Sequence, residues 1–370
     1  MKRRLQQGWY VAIAMLLAGC AQSKPTAVKL ATHVDDPFPV RIVEMRGSGE
    51  EMGTAHAQQL GTPIHALFGT YFAQYFSSNF ERNLALAAAS AYGSHVSAEH
   101  LEEIRALARG TGLQEREVLL GQCFLDLSAM TACSTITLPA SASPDGVARF
   151  GRNLDFPSFD IADRQSVVLI FHPAGRYAFV SVAWPGMIGV LSGMNEHGLT
   201  VANMEVDRSR RLPSAMPYTL LYRTVLERCR TVDEAIELLR NTPRQTANNL
   251  MIMDASGDRA VAEITPGGVT VRRAPADAAL ISTNHQRGDE DLDTHGRCER
   301  FDSLHDVAAS RFGKIDVARL EQMLGRVAQG EMTLQSMVFE PSTRKLYLAT
   351  GANAPRKGYH ALDLRKYFEH

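Results

Sequence analysis

An α+β fold is predicted for this chain: two β-sheets with helices on their outer faces, preceded by a helical segment. Three observations predict it. Residues 50–122 are dominated by Ala, Leu and Glu, good helix formers. After Ala132 the texture changes to short β-rich runs separated by Pro, Gly and Asp. Helical stretches then interrupt and follow those runs, an order that two sheets with outer helices satisfy. With 370 residues, 45% hydrophobic and 21% charged, the chain can bury a large core. We expect one composite unit, because the motifs below bind both halves of the chain together.

The start of the chain reads as an export signal. Lys2, Arg3 and Arg4 precede an apolar run over residues 9–17 and a small-residue exit, Ala18-Gly19-Cys20. The run is shorter than the ~20 residues that span a bilayer. LAGC at 17–20 resembles the bacterial lipobox, which makes Cys20 the expected lipidation site and residues 1–20 a lipoprotein signal peptide. Ala21 in place of an aspartate favours the outer membrane, facing the periplasm. Residues 21–39 are polar and Pro-containing, as in a tether. The full chain carries a formal charge of -1 with acids and bases interleaved, so nucleic acid is not an expected partner.

Residues 40–132 form the expected helical segment. GSGEEMG at 47–53 opens it, Gly61 and Gly93 read as punctuation, and LEEIRALARGTGL closes a helix with Leu101, Ile104, Leu107 and Ala108 on one face. His56, His65, His95 and His100 lack a metal-ligand spacing and read as surface histidines. From 133 onward the predicted strands are CSTITL, VARFGRNLDF, SVVLIF, RYAFVSVAW, MIGVLSGM and LTVANMEV. Helices are predicted over 218–230 and 232–239, the second capped by Thr231 with Glu234 three residues on. NLMIMDA, RAVAEIT, GVTVRRA and ALISTN are expected to form a second meander, before helices at 300–310 and 317–325 and a final hairpin over 336–350.

Chemistry points to Cys133. It starts a strand, follows the small Ala132, and has no partner in a CxxC pair. If the peptide bond between Ala132 and Cys133 is cut, the new α-amine, with a reference pKa of ~7.7 to 8.0, becomes a base within reach of its own thiol. The same thiol can make the cut by attacking the Ala132 carbonyl. GRNLDF places Arg152 and Asp155 three apart at a strand end, a cation to lower a thiol pKa and a carboxylate to hold an ammonium. Taken alone, RxxD is more often a surface ion pair.

Taken as a set, GSGEEMG, the Cys133 junction, GRNLDF at 151–156, GMNEHGLTVANME at 193–205, TNH at 283–285 and ERF at 299–301 resemble the N-terminal nucleophile hydrolases. The likeness is strongest to the acyl-coenzyme A:6-aminopenicillanate acyltransferase-like (peptidase C45) family, related to choloylglycine hydrolase and acid ceramidase. It implies an αββα four-layer sandwich, with residues 133–370 as the β-subunit packed on 40–132. It implies Cys133 as nucleophile and base, Arg152 and Asp155 tuning it, Asn284 as oxyanion donor and Arg300 as a supporting arginine. Glu205 matches the ceramidase-like branch and would hold the α-ammonium or assist self-cleavage, with Asn203 as the alternative oxyanion donor.

Asn195, Glu196, Gly198 and Leu199 read as a turn, and His285 as a packing neighbour of the site. Cys123, Cys229 and Cys298 read as small apolar fillers, with a Cys229–Cys298 bridge left open. The expected activity is hydrolysis of a linear N-acyl amide through a thioester, without metal or organic cofactor. Acyl transfer to an amine is the alternative, and a non-catalytic envelope-binding lipoprotein is a second. The expected partners are a small N-acyl amide, the membrane through Cys20, and the two fragments of the precursor itself.

Overall fold

Ser48 starts the first helix by a reciprocal cap. Its hydroxyl accepts the Glu51 N–H, and the Glu51 carboxylate accepts the Ser48 N–H at 2.8 Å. The structure, a computed structural model, describes residues 40–128, 132–206, 213–288 and 298–368. The proposed signal peptide, the tether and Cys20 lie outside the described residues. From that cap runs α1 (Gly49–Tyr75), followed by α2 (Asn79–Tyr92), α3 (Ala98–Thr111) and α4 (Glu115–Leu127). Gly112, at φ 72°, closes α3 in the left-handed conformation. Helices α1 and α3 cross at glycines: a Cβ on Gly53 would stand 2.2 Å from the Glu103 carbonyl oxygen. Gly61 does not interrupt α1 as expected. The buried Leu60 and Ile64 on either side hold the helix through it, tertiary packing overriding local propensity.

Among the described residues there are fourteen strands: β1 (Arg41–Gly47), β2 (Ala132–Leu138), β3 (Arg149–Asp155), β4 (Val167–Pro173), β5 (Phe179–Ala183), β6 (Ser192–Asn195), β7 (Thr200–Glu205), β8 (Asn248–Met253), β9 (Arg259–Thr265), β10 (Gly268–Arg272), β11 (Leu280–Ser282), β12 (Thr333–Glu340), β13 (Lys345–Thr350) and β14 (His360–Asp363). They make an eight-stranded sheet, β1-β4-β5-β6-β7-β8-β9-β10, and a six-stranded sheet, β11-β2-β3-β12-β13-β14. Helices α5 (Tyr218–Arg228) and α6 (Val232–Asn241) cover the larger sheet, and α7 (Glu299–Ser310) and α8 (Val317–Arg326) the smaller. The sheets face each other through Thr135 and Met204, and through Thr137 and Met251. This is the αββα order.

Two expectations about strands change. The second meander is not a sheet of its own: β8 pairs with β7, Glu205 opposite Asn248, so β8 to β10 extend the first sheet across the intervening helices. Only β11 crosses to the other sheet, against β2. The MIGVLSGM run is mostly loop, because the Val190 N–H goes to the Thr219 carbonyl and not to a strand ladder.

Burial corrects the histidines. His65 and His95 are exposed, whereas His56 and His100 are buried. His56 Nε2 accepts the Gly186 N–H at 3.1 Å, and burial, with the Arg223 cation nearby, holds its imidazole down to about 3. His100 sits 3.3 Å from Glu227. Arg223 joins this region together: its guanidinium reaches Glu227 and Glu103, each at 2.7 Å, and the Ile188 carbonyl at 3.1 Å. It also lies over the rings of Phe171 and Phe179.

The folded His56 thus refuses a proton that an unfolded histidine accepts near pH 6.5. Its folded value is the depressed one, so the unfolded state binds more protons between about pH 3 and 6.5 and stability falls as pH drops through that window. A His56→Gln variant is expected to lose up to ~1.4 kcal/mol per pH unit of that slope. Urea unfolding of parent and variant at pH 4.5 and 6.5, roughly the window's middle and top, checks it; equal slopes would refute it.

Candidate active site

The β2–β3 register builds the site. Cys133 stands opposite Leu154 and Thr135 opposite Arg152, so these four side chains share the face turned toward the larger sheet. Cys133 is fully buried. Arg152 Nε donates to Ser192 Oγ at 3.2 Å, its terminal nitrogens have no hydrogen-bond partner among the described residues, and its charge acts on the Cys133 thiol. Burial pushes the thiol up, opposed by the Arg152 cation, and the net shift is upward. The surface-pair reading of RxxD therefore fails, since both Arg152 and Asp155 are inaccessible to solvent.

Asp155 Oδ1 accepts the Thr333 hydroxyl at 2.5 Å, and Oδ2 lies 4.0 Å from Arg300. Burial pushes its carboxyl up to about 6, against the pull of Thr333, Arg300 and Arg152. Asn284, just after β11, accepts the Cys133 N–H on Oδ1 at 2.8 Å and Arg300 on the same oxygen at 3.1 Å. Arg300, the second residue of α7, also donates to the Cys133 carbonyl. The backbone on both sides of the Cys133 Cα is therefore gripped, its N–H by Asn284 and its C=O by Arg300.

The six expected residues come together. The Asn284 amide nitrogen donates to the Glu205 carbonyl at 2.7 Å, so one side chain joins the end of β7 to the Cys133 N–H. The Glu205 carboxylate lies toward Asp126 at the end of α4 and Tyr218 of α5, and after burial it is a cause of the upward shift of both. Asn203 Oδ1 has no hydrogen-bond partner among the described residues. Asn195 to Leu199 form the expected turn, with Asn195 Oδ1 accepting the His197 and Leu199 N–H groups and Gly198 at φ 84°.

Sequence reasoning missed Ser192, Thr333, Asp126 and Cys298. Thr333 meets Asp155 only through the β3–β12 register, which no local motif encodes. Cys298 is not an inert filler. It is the N-cap residue of α7, 3.5 Å from Thr283 Oγ1. Burial would raise its thiol, yet hydrogen bonds with His285 and Thr283 bring it down to about 6. Cys123 and Cys229 do behave as buried fillers, with thiols pushed up by burial, Cys229 to about 12. All four described cysteines are free, so there is no Cys229–Cys298 bridge.

An apolar cavity of about 80 Å³ adjoins the site, walled by Phe68, Tyr71, Phe124, Phe156, Trp184 and Leu191 among others. Two wall residues are one peptide away from site residues: Phe156 follows Asp155, and Leu191 precedes Ser192. Tyr71 stacks on Phe156 at 5.7 Å, so the helical segment ahead of Cys133 supplies one wall and the strands the other.

Comparison with known proteins finds four curated relatives. Protein dcd1A of Dictyostelium discoideum is 24% identical over 238 residues, 55% of this chain and 54% of that protein. N-acylethanolamine-hydrolyzing acid amidase of Oryctolagus cuniculus is 30% identical over 149 residues, 38% of this chain and 40% of that protein. The chain thus spans about half the length, or less, of these relatives. A solved Caenorhabditis elegans ortholog of that amidase aligns at TM-score 0.47 and 18% identity, over 57% of this chain and 93% of its own. The family model described as acyl-coenzyme A:6-aminopenicillanic acid acyl-transferase matches residues 142–355, beginning just after β2 and taking in Arg152, Asp155, Glu205, Asn284 and Arg300. That match covers well over half of the sequence, and the chain belongs to the acyl-coenzyme A:6-aminopenicillanic acid acyl-transferase family.

Proposed function

We propose that the chain is a self-processing cysteine hydrolase of N-acyl amides. The observation that carries this reading is the grip on Cys133: a buried thiol against the Arg152 guanidinium, its N–H on Asn284 and its carbonyl on Arg300. In the cut, Sγ attacks the Ala132 carbonyl carbon, the C–N bond breaks, and the Cys133 nitrogen gains a proton. Water then opens the thioester, leaving a carboxylate on Ala132 and a free thiol. The new α-ammonium appears beside Asp155 and the thiol, both of which burial pushes up in the uncut chain, Asp155 to about 6. A positive charge there lowers both, so the cut switches the nucleophile on.

In turnover the α-amine takes the thiol proton, Sγ attacks the substrate carbonyl, the α-ammonium gives that proton to the nitrogen of the leaving amine, and water then opens the thioester to release the acid and the thiol. The aromatic cavity beside Asp155 suits an apolar acyl group, in keeping with a relative named for hydrolysing N-acylethanolamines. The family's acyl-transferase name supports a second reading, in which an amine replaces water at the thioester. For location we propose export and lipid anchoring through Cys20, in the outer membrane facing the periplasm, which brings the site close to acyl lipids.

Intact mass spectrometry of the purified chain beside Cys133→Ala tests the reading. The expected result is one break between Ala132 and Cys133 in the parent and none in the variant, with acid released from N-acyl amides by the parent alone. An added amine that captures the acyl group would identify transfer. A parent that stays whole and inactive would overturn the proposal.

A further inference from the structure

We infer that the outer helical layer carries an anion site, separate from Cys133, that takes a phosphate group. Val307, Ser310 and Arg311 of the α7 end face Arg319, Gln322, Met323 and Arg326 of α8 across a cavity of about 150 Å³. The spacing produces this directly. Positions 307, 310 and 311 lie on one side of α7, and 319, 322, 323 and 326 on one side of α8, so two helix faces aim their cations into one space.

No acidic side chain lines the cavity, and none of these arginines forms an ion pair among the described residues. Arg319 Nη1 donates to Gln322 Oε1 at 2.8 Å, a neutral acceptor that leaves the charge unbalanced. Arg311 and Arg326 sit at helix C-termini, where carbonyl dipoles favour cations and no ligand is needed to explain them. Arg319 is the third residue of α8, whose N-terminus is already served by the Asp316 cap that accepts the Arg319 N–H at 2.8 Å, and its side chain lines the same space as the other two. Three guanidinium groups that share one space with no carboxylate in its lining are stabilised together by an anion.

Guanidinium forks match tetrahedral oxyanions with paired hydrogen bonds, and Ser310 and Gln322 add neutral polar groups. The room is that of a few water molecules at ~30 Å³ each, enough for a phosphate with part of its shell. The same chemistry fits free phosphate and the phosphate of an anionic lipid headgroup.

The test is equilibrium dialysis of the full chain in detergent against inorganic phosphate at constant ionic strength, beside Arg319→Gln and an Arg311→Gln/Arg319→Gln/Arg326→Gln triple variant. All three side chains reach solvent, and self-cleavage, read by mass, reports that each variant has folded. One phosphate per chain is expected, weakened by about tenfold in Arg319→Gln, the size of one charge-assisted hydrogen bond, and lost in the triple variant. Sedimentation with phosphatidylglycerol against phosphatidylcholine vesicles then separates the sources: selective capture that the triple variant loses assigns a headgroup, and no capture assigns the free anion. Absence of saturable phosphate binding, or binding unchanged in the triple variant, overturns the site.

Discussion

In an Asn284→Ala chain the cut before Cys133 is expected to slow by about 100-fold, the loss that a ~1 Å misplacement of reacting groups brings. The reason lies in how many contacts meet on one side chain. Asn284 Oδ1 holds the Cys133 N–H at 2.8 Å and Arg300 at 3.1 Å, while its nitrogen is anchored on the Glu205 carbonyl. Alanine frees the scissile nitrogen and loosens Arg300, which grips the carbonyl beyond it. The amide plane then no longer sits where the thiol needs it. A time course of intact mass after synthesis measures the rate. Cutting within threefold, about 0.7 kcal/mol, of the parent would show that the grip on the nitrogen plays no part.

Arg223→Ala is expected to cost ~3–5 kcal/mol of stability, the penalty for breaking a buried ion network by removing one partner. Arg223 is 1% exposed and neutralises Glu227, whose carboxyl it helps hold at about 2 in spite of burial. It also links α3, through Glu103, to α5, so it joins the segments before and after Cys133. Without it, Glu227 stays buried beside Glu103, with His100 at 3.3 Å. Arg223→Met, which restores volume without charge, is expected to lose much the same, because the stranded carboxylate and not the cavity dominates. Urea unfolding in a Cys133→Ala background, where the chain stays in one piece, gives the numbers. A loss below 1 kcal/mol would contradict this account of the network.

The legible parts of the sequence were those with local physical signatures. The helix start in GSGEEMG, the Gly-rich stop of LEEIRALARGTGL and the Thr231 cap are encoded locally, and each is where the sequence places it. Cys133, Arg152, Asp155, Asn284 and Arg300 were legible because they stand in motifs whose order the fold preserves. Long-range facts were not. Edge strand β1 pairs with a strand more than a hundred residues away in sequence, Arg41 with Val167. His56 and His100 looked like surface residues because nothing nearby announces Gly186 or Glu227. Thr333 and Ser192 became visible only once the sheets were in register.

The parallel pairing of β1 with β4 has a mechanical consequence. The chain enters the described fold at Val40, directly before a strand that pairs over seven positions, Arg41 with Val167 through Gly47 with Pro173. A pull along the axis of β1 loads those pairs in shear, all at once, and not in sequence as in the opening of a zip. Tension on the leading end is thus resisted by the whole ladder before it reaches the helices, and Cys133, in an interior strand of the other sheet, stays out of the line of force.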